Sequence, residues 1–164
     1  MIGDSMFSWS GAEFSDDRKY RYKLWRGWNL SLPRCLFIML NPSIADENIL
    51  DPTIKKCVGF AKRWDCGSIY IGNIFSLVST DPNELYRSDE PIGSLNDEAI
   101  KYMVSHSDMT VAAWGSHGKF MERGNKVMSM LNNVYVLRMN KDGQPAHPLY
   151  IPYSCEPFNL INKY

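Results

Sequence analysis

The chain has 164 residues, a length typical of one domain that buries a hydrophobic core without disulfides or metals. Hydrophobic residues make up 45% and charged residues 22%, proportions that exclude disordered and fibrous classes. Lys+Arg and Asp+Glu both number 18, so the chain lacks the overall positive charge that attracts nucleic-acid phosphates, and any nucleic-acid contact must be local.

Export and metal signals are absent from the sequence. Residues 1–5 carry no basic region followed by an apolar run, and no stretch approaches the length that crosses a bilayer. We therefore expect a cytoplasmic protein without a membrane partner. The four cysteines are far apart and form no C-x-x-C pair, so we expect free buried thiols, no metal and no other cofactor.

Charged and aromatic residues alternate over residues 18–28, a pattern that predicts an edge strand or hairpin arm. Lys19, Arg21 and Lys23 would share one face of that strand. Two interpretations stay open for them. They form a solvated edge that discourages sheet aggregation, or a strip that contacts phosphates.

The middle of the chain alternates predicted strands and helices. Residues 35–40 form an apolar run typical of a central strand, and it ends at Asn41-Pro42-Ser43. Asp51 and Pro52 then predict a helix start, with an apolar stripe that continues to Trp64. Residues 68–75 predict a second buried strand, which implies a parallel pair.

The second half repeats this alternation. Helices are predicted over residues 96–104 and 118–131, strands over residues 109–115 and 133–139, and a structured loop from Asn140 onward. We expect a single domain over residues 1–164, with an N-terminal arm (1–30) and an α/β core (31–155). The predicted fold is α/β, a three-layer α/β/α sandwich with a mainly parallel sheet whose ligands bind at the carboxyl ends of the strands.

The predicted strand ends carry four polar motifs: Leu40-Asn41-Pro42-Ser43, Gly72-Asn73, Ala113-Trp114-Gly115 and His147-Pro148. Their order resembles the uracil-DNA glycosylase superfamily. More narrowly, residues from about 20 to 155 resemble the bacterial and phage domain-of-unknown-function family 1643. That likeness also rests on Ala45-Asp46, Asp51-Pro52-Thr53-Ile54, Thr80-Asp81-Pro82, Asn96-Asp97 and Leu149-Tyr150.

The glycosylase resemblance implies roles for three side chains. Asn41 matches the asparagine that positions the attacking water, and Asn73 matches the one that recognises the base through its paired donor and acceptor. His147 matches the histidine that bonds the departing base oxygen as negative charge develops there. Three features depart from the glycosylases: Ser43 replaces a glycine, Tyr150 stands at a small-residue position, and the paired cysteines of the iron–sulfur branches are absent.

Each of these residues also has a structural interpretation. Asn41 before Pro42 is a common turn opener, and Asn73 would satisfy a neighbouring loop. His147 either contacts a ligand or locks a turn. Asp46 is a candidate general base as well as an ordinary loop residue, whereas Asp51 is more simply a helix cap.

A second group of predicted ligand contacts follows the third strand. Ser116, His117 and Gly118 would begin the next helix, where backbone N–H groups favour a phosphate. Trp114 is a candidate for stacking on a base, although a core position is the commoner outcome. We add Pro42 and Ser43 to the expected substrate-binding residues.

Our leading hypothesis is a protein of glycosylase-like fold that acts on the N-glycosidic bond of a nucleobase, with Asn41, Asp46 and His147 as catalytic residues. The partner would be a nucleobase, a nucleotide or a modified nucleic acid, and a neutral chain favours a free nucleotide or nucleoside over a duplex. One alternative is a nucleotide-binding module without chemistry. Another is a phage-type inhibitory protein whose contact surface includes Trp25 and Trp28.

Overall fold

The computed structural model describes residues 6–43 and 51–160, which form a seven-stranded sheet and four α-helices. Along the sheet the strands follow the order β1-β2-β4-β3-β5-β6-β7. The strands are β1 (Trp9–Phe14), β2 (Arg21–Gly27), β3 (Arg34–Met39), β4 (Ser68–Asn73), β5 (Met109–Ala112), β6 (Val134–Val136) and β7 (Phe158–Asn159). The helices are α1 (Pro52–Arg63), α2 (Asn83–Arg87), α3 (Asn96–Ser105) and α4 (Arg123–Met128).

The sheet is mixed, so the expectation of a mainly parallel sheet is corrected. The pairs β3–β4, β3–β5 and β5–β6 are parallel, whereas the pairs β1–β2, β2–β4 and β6–β7 are antiparallel. The turn between β1 and β2 explains the first antiparallel pair, because so short a connection can join only antiparallel neighbours. The predicted α/β class is confirmed.

The charged strand over residues 18–28 is a hairpin arm but lies inside the sheet. β1 covers its outer side and β4 its inner side. Arg21 is only 3% exposed, and Lys23 Nζ lies 3.4 Å from Glu13 Oε2. Only Lys19 of the three expected side chains is exposed, so neither a solvated edge nor a phosphate strip describes this strand.

The two tryptophans of this arm are half-buried and pack against other aromatic rings. Trp25 lies beside Trp9 and Tyr70, with ring centroids 6.0 and 6.4 Å away. Trp28 packs against Phe7, with centroids 6.2 Å apart. Each ring keeps part of its surface exposed, and the inhibitory-protein alternative stays a prediction.

β3 is the central strand that its apolar sequence predicts. Its side chains alternate between two cores: Leu36 and Ile38 face one side of the sheet, and Cys35, Phe37 and Met39 face the other. Helix α1 packs on the second side, whereas α3 and α4 contribute to the core on the first. Helices thus cover both faces of the sheet.

Helix α1 begins as its sequence predicts. Asp51 is the N-cap, and its Oδ1 accepts a hydrogen bond of 2.8 Å from the backbone N–H of Ile54, while Pro52 occupies the first helical position. The side chains that form the buried stripe are Ile54, Cys57, Val58, Phe60 and Ala61. This helix and α3 are confirmed predictions.

The helix predicted over residues 118–131 is confirmed only in its second part. Ser116–Glu122 is 3-10 helical with a kink, and α4 that follows has six residues. The backbone of Phe120 is extended and the φ angles of Met121 and Glu122 are positive, so these residues interrupt the helix, because such angles do not fit an α-helix. Before the kink, the indole of Trp114 packs so closely that a Cβ on Gly118 would lie 2.2 Å from Trp114 Cδ1.

Two smaller differences concern elements at the margins of the core. Helix α2 lies in the stretch expected to be a loop, and β7 begins beyond residue 155, where the predicted core ended.

All four cysteines are unpaired, and within residues 6–43 and 51–160 no three His, Cys, Asp or Glu side chains are grouped to hold a metal. Among the described helices, none combines the length and the apolar character needed to cross a membrane.

The cap of α1 gives a test of this fold. We expect Asp51→Ala to lower the free energy of unfolding by about 1 kcal/mol, because the N–H of Ile54 loses its acceptor. Asp51→Asn, which keeps an oxygen at the same position, should lose much less. Urea denaturation of the three proteins measures the difference, and an Ala variant as stable as the parent would contradict the capping role.

Candidate functional site

The end of β3 is the place where the helical connections diverge. The chain leaves β3 toward α1 on one face of the sheet, whereas β4 and β5 on either side lead to α3 and α4 on the other face. Such switch points open crevices at the carboxyl ends of parallel strands. Two pockets of about 490 and 150 Å³ lie there, and Asn41, Pro82 and His147 line both of them.

The smaller pocket brings together the three residues that the sequence singled out from separate strands, Asn41, Asn73 and His147. Asn41 follows β3, Asn73 ends β4, and His147 belongs to the loop after β6. Met39 and Ile54 form the apolar part of the pocket wall. The remaining lining residues are Arg21, Ser43, Asp51, Thr53, Ser79, Thr80 and Pro82.

Asn73 presents a buried amide without an internal partner. The residue is 3% exposed, and its side chain forms no hydrogen bond with the described residues, although its backbone oxygen accepts one of 2.8 Å from Asn96 Nδ2. Because buried amides in folded proteins are normally hydrogen bonded, a free donor and acceptor at a pocket wall indicate a ligand position.

Asn41 uses the two ends of its amide differently. Its Nδ2 donates to the backbone oxygens of Ser79 (2.9 Å) and Pro42 (3.1 Å), with a longer contact of 3.4 Å to Leu77. These bonds tie the end of β3 to the loop after β4. Its Oδ1 has no hydrogen bond within the described residues, so the acceptor end is free for water or a ligand while the donor end is structural.

His147 shows the same division between its two ring nitrogens. Nδ1 accepts a hydrogen bond of 3.2 Å from the backbone N–H of Leu149, which caps the 3-10 helix Pro148–Tyr150. The neutral ring must then carry its proton on Nε2. Burial lowers the pKa of His147, although Asp51 opposes the shift, so the ring is a neutral Nε2–H donor at pH 7.

The carboxylate of Asp51 is already engaged at both oxygens. Oδ1 caps α1, and Oδ2 accepts a hydrogen bond of 2.8 Å from the hydroxyl of Ser43. Pro42 is buried and lines neither pocket, so the expectation of substrate contact has no support in its position. Asp46 lies outside the described residues.

The larger pocket contains the predicted residues that follow β5. Trp114 is 2% exposed and its Nε1 donates to Gln144 Oε1 at 2.8 Å, so it is a core residue that forms wall rather than an open stacking platform. Ser116 Oγ lies 3.3 Å from Asn140 Nδ2, and His117 Nδ1 lies 2.7 Å from the hydroxyl of Tyr86. The kinked 3-10 segment removes the long-helix N-terminus that was expected to favour a phosphate here.

Sequence reasoning gave no site role to several residues that line the pockets, among them Arg138 and Asn140. Both follow β6, so the strand-end rule that identified Asn41 could have found them. The sequence pattern places Arg21 only in a solvated edge or in a strip that contacts phosphates, and it is instead buried and lines the smaller pocket. Tyr150 is 87% exposed at the rim of the larger pocket.

Comparisons with known proteins identify one relationship. Residues 21–149 match the model of a family described as "Protein of unknown function (DUF1643)". Neither a curated protein nor a solved structure was found that matches the chain. The matched segment includes every described pocket residue named above except Tyr150.

The protonation state of His147 can be tested directly. NMR titration should give His147 a pKa below 6.5, with the proton on Nε2 in the neutral form. Because the folded state binds this proton less readily than the unfolded state, the contribution of His147 to stability is present above pH ~6.5 and is lost as the pH falls toward the folded pKa. His147→Gln should remove that part of the pH dependence, and a His147 pKa above 6.5 would contradict the analysis.

Proposed function

The chain belongs to the DUF1643 family, and from the geometry of its pockets we propose that it binds a nucleobase in the smaller one, between Asn41, Asn73 and His147. One observation carries the proposal. The carboxamide of Asn73 is buried at the pocket wall with its donor and acceptor unused by the described residues. A ligand that offers an adjacent acceptor and donor would satisfy both at once.

The edge of a nucleobase is such a ligand. Bases present a carbonyl or ring-nitrogen acceptor next to an N–H donor, and an asparagine amide pairs with that arrangement in two parallel hydrogen bonds. The Nε2–H of His147 adds one further donor for a base oxygen. The pocket is also of suitable size, because cavities of about 150 Å³ accept a single benzene-sized ring, and Met39 and Ile54 offer apolar surface to its faces.

Support for a uracil-DNA-glycosylase-like three-layer fold comes from the order in which the strands and the polar residues that follow them occur along the chain. Asn41, Asn73 and His147 follow β3, β4 and β6 of a parallel group of strands with helices on both faces. This placement agrees with the order of motifs in the sequence. Because one fold hosts many functions, the proposal rests on the residues of the pocket, and the fold is only consistent with it.

Replacing Asn73 separates a binding role from a structural one. We expect Asn73→Ala to weaken binding of the preferred base by roughly 10- to 100-fold, because paired hydrogen bonds to the ligand are lost. Thermal stability should stay the same or rise, because the change removes a buried amide that has no internal partner. Calorimetric titration with free bases and nucleosides, together with thermal denaturation, measures both effects.

Asn132→Ala is a matched control, because Asn132 is exposed and lines neither pocket. It should change neither binding nor stability. Lower stability of Asn73→Ala with unchanged binding would show that Asn73 is structural. Absence of base or nucleoside binding by the parent protein at millimolar concentration would refute the proposal itself.

Hydrolysis of an N-glycosidic bond is a second candidate function, favoured by the neutral His147. A water oxygen would bond to C1′ of the sugar as the bond from C1′ to the base nitrogen breaks, and the electron pair would leave with the base. In this proposal the Nε2–H of His147 would stabilise the charge that develops on a base oxygen. Asn41 Oδ1 would hold the water, whose released proton passes to solvent.

This reaction is tested by incubating the protein with nucleosides, nucleotides and base-modified DNA and detecting released base by mass spectrometry. If base is released, His147→Ala should slow kcat roughly 10- to 100-fold, equivalent to about 1–3 kcal/mol, while the protein remains folded. Binding without release from any substrate would refute hydrolysis and leave the binding proposal intact. Full activity in His147→Ala would exclude the assigned role of this histidine.

A further inference from the structure

Arg138 is a cation without an ion-pair partner among the described residues. It lies two positions after β6, is exposed, and lines the larger pocket. The ion pairs of the described chain join Lys23 to Glu13, Lys119 to Asp142 and Arg123 to Asp97. The described lining of this pocket contains no carboxylate, so Arg138 gives the wall a local positive potential.

Neutral hydrogen-bonding groups accompany Arg138 on the same wall. Asn140 and Ser116 line the pocket and are in contact through Asn140 Nδ2 and Ser116 Oγ. The carboxylate bonded to Ser116, that of Asp142, is paired with Lys119 Nζ at 3.2 Å. Its charge is therefore compensated locally instead of opposing an anion at Arg138.

The larger pocket is adjacent to the smaller one, because Asn41, Pro82 and His147 line both. A substituent on a base bound at Asn73 would need to extend past these residues to reach the larger space. That space, about 490 Å³, exceeds what a base alone needs and lies in the range of small-molecule sites. It accommodates a sugar and a further group.

We infer that the larger pocket binds the phosphate monoester of a free nucleotide through Arg138, with the second N–H of Asn140 Nδ2 as a neutral donor, because the hydroxyl proton of Ser116 is used by Asp142. A guanidinium donates two parallel hydrogen bonds to two oxygens of a phosphate dianion. A ribose hydroxyl is uncharged and has a single oxygen, so it cannot accept both bonds in this way. The inference deepens the proposed function and rests on it, because it adds the phosphate to the base already assigned to the smaller pocket.

A free nucleotide fits these observations better than a nucleic-acid strand. Strand binding rests on several phosphate contacts and on a positively charged groove. The chain has 18 basic and 18 acidic residues, and Arg138 is the single Lys or Arg in the described lining of the larger pocket. One unpaired cation beside a base-sized pocket suits one phosphate.

The test is calorimetric titration of the full chain with four ligands: a ribonucleoside, its 5′-monophosphate, ribose 5-phosphate, which lacks the base, and a single-stranded oligoribonucleotide containing that base. The monophosphate should bind about tenfold more tightly than the nucleoside. Arg138→Gln should remove this tenfold gain and leave nucleoside binding unchanged. Arg63→Gln, an exposed arginine that lines neither pocket, should keep the gain.

Different outcomes would overturn different statements. Equal binding of nucleoside and monophosphate, or a gain that survives Arg138→Gln, would refute the phosphate subsite while leaving the base pocket intact. Tighter binding of the oligonucleotide than of the monophosphate would refute the free nucleotide. If ribose 5-phosphate binds as tightly as the nucleotide and loses affinity in Arg138→Gln but not in Asn73→Ala, the phosphate subsite stands and the nucleobase proposal fails.

Discussion

The connections that diverge from the end of β3 determine where this protein is open to a ligand. Helix α1 must cover one face of the sheet, and α3 and α4 must cover the other, because β3 is apolar on both sides. Helices that leave adjacent strands toward opposite faces cannot close the edge between them. The two pockets therefore follow from the same burial of β3 that stabilises the core, and the residues just past the strands become their walls.

At this open edge, polar side chains serve the backbone and the pocket through different atoms. Asn41 donates through Nδ2 to the loop after β4, and His147 accepts through Nδ1 from the turn after it. In each case the structural bond restricts the orientation of the side chain, and the opposite polar atom forms no hydrogen bond with the described residues. A side chain held in this way loses little conformational entropy when it binds a ligand, so the structural and functional interpretations of both residues support each other.

The sequence predicted what depends on local pattern and on strand direction. The apolar run of β3 and the Asp51-Pro52 start of α1 were sufficient for those elements, and the parallel alignment of β3, β4 and β6 was sufficient to bring Asn41, Asn73 and His147 to one pocket. Long-range contacts were not predictable in this way. The covering of β2 by β1 and β4, in a strand where Arg21 is buried, depends on strand order, and the positive φ angles of Met121 and Glu122 that interrupt the expected helix have no signal in the apolar pattern.

The backbone at the end of β4 is held by hydrogen bonds from residues on the opposite face of the sheet. Asn96, at the start of α3, donates from Nδ2 to the backbone oxygens of Asn73 and Ile74, at 2.8 and 3.1 Å, and Arg123 Nε donates to the same oxygen of Ile74 at 2.7 Å. The backbone position of Asn73 therefore does not depend on its side-chain amide, which forms no hydrogen bond with the described residues. Asn41 and His147, in contrast, each use one polar side-chain atom for a structural bond. Replacement of Asn73 can therefore separate a binding role from a structural one, which replacement of Asn41 or His147 cannot do as cleanly.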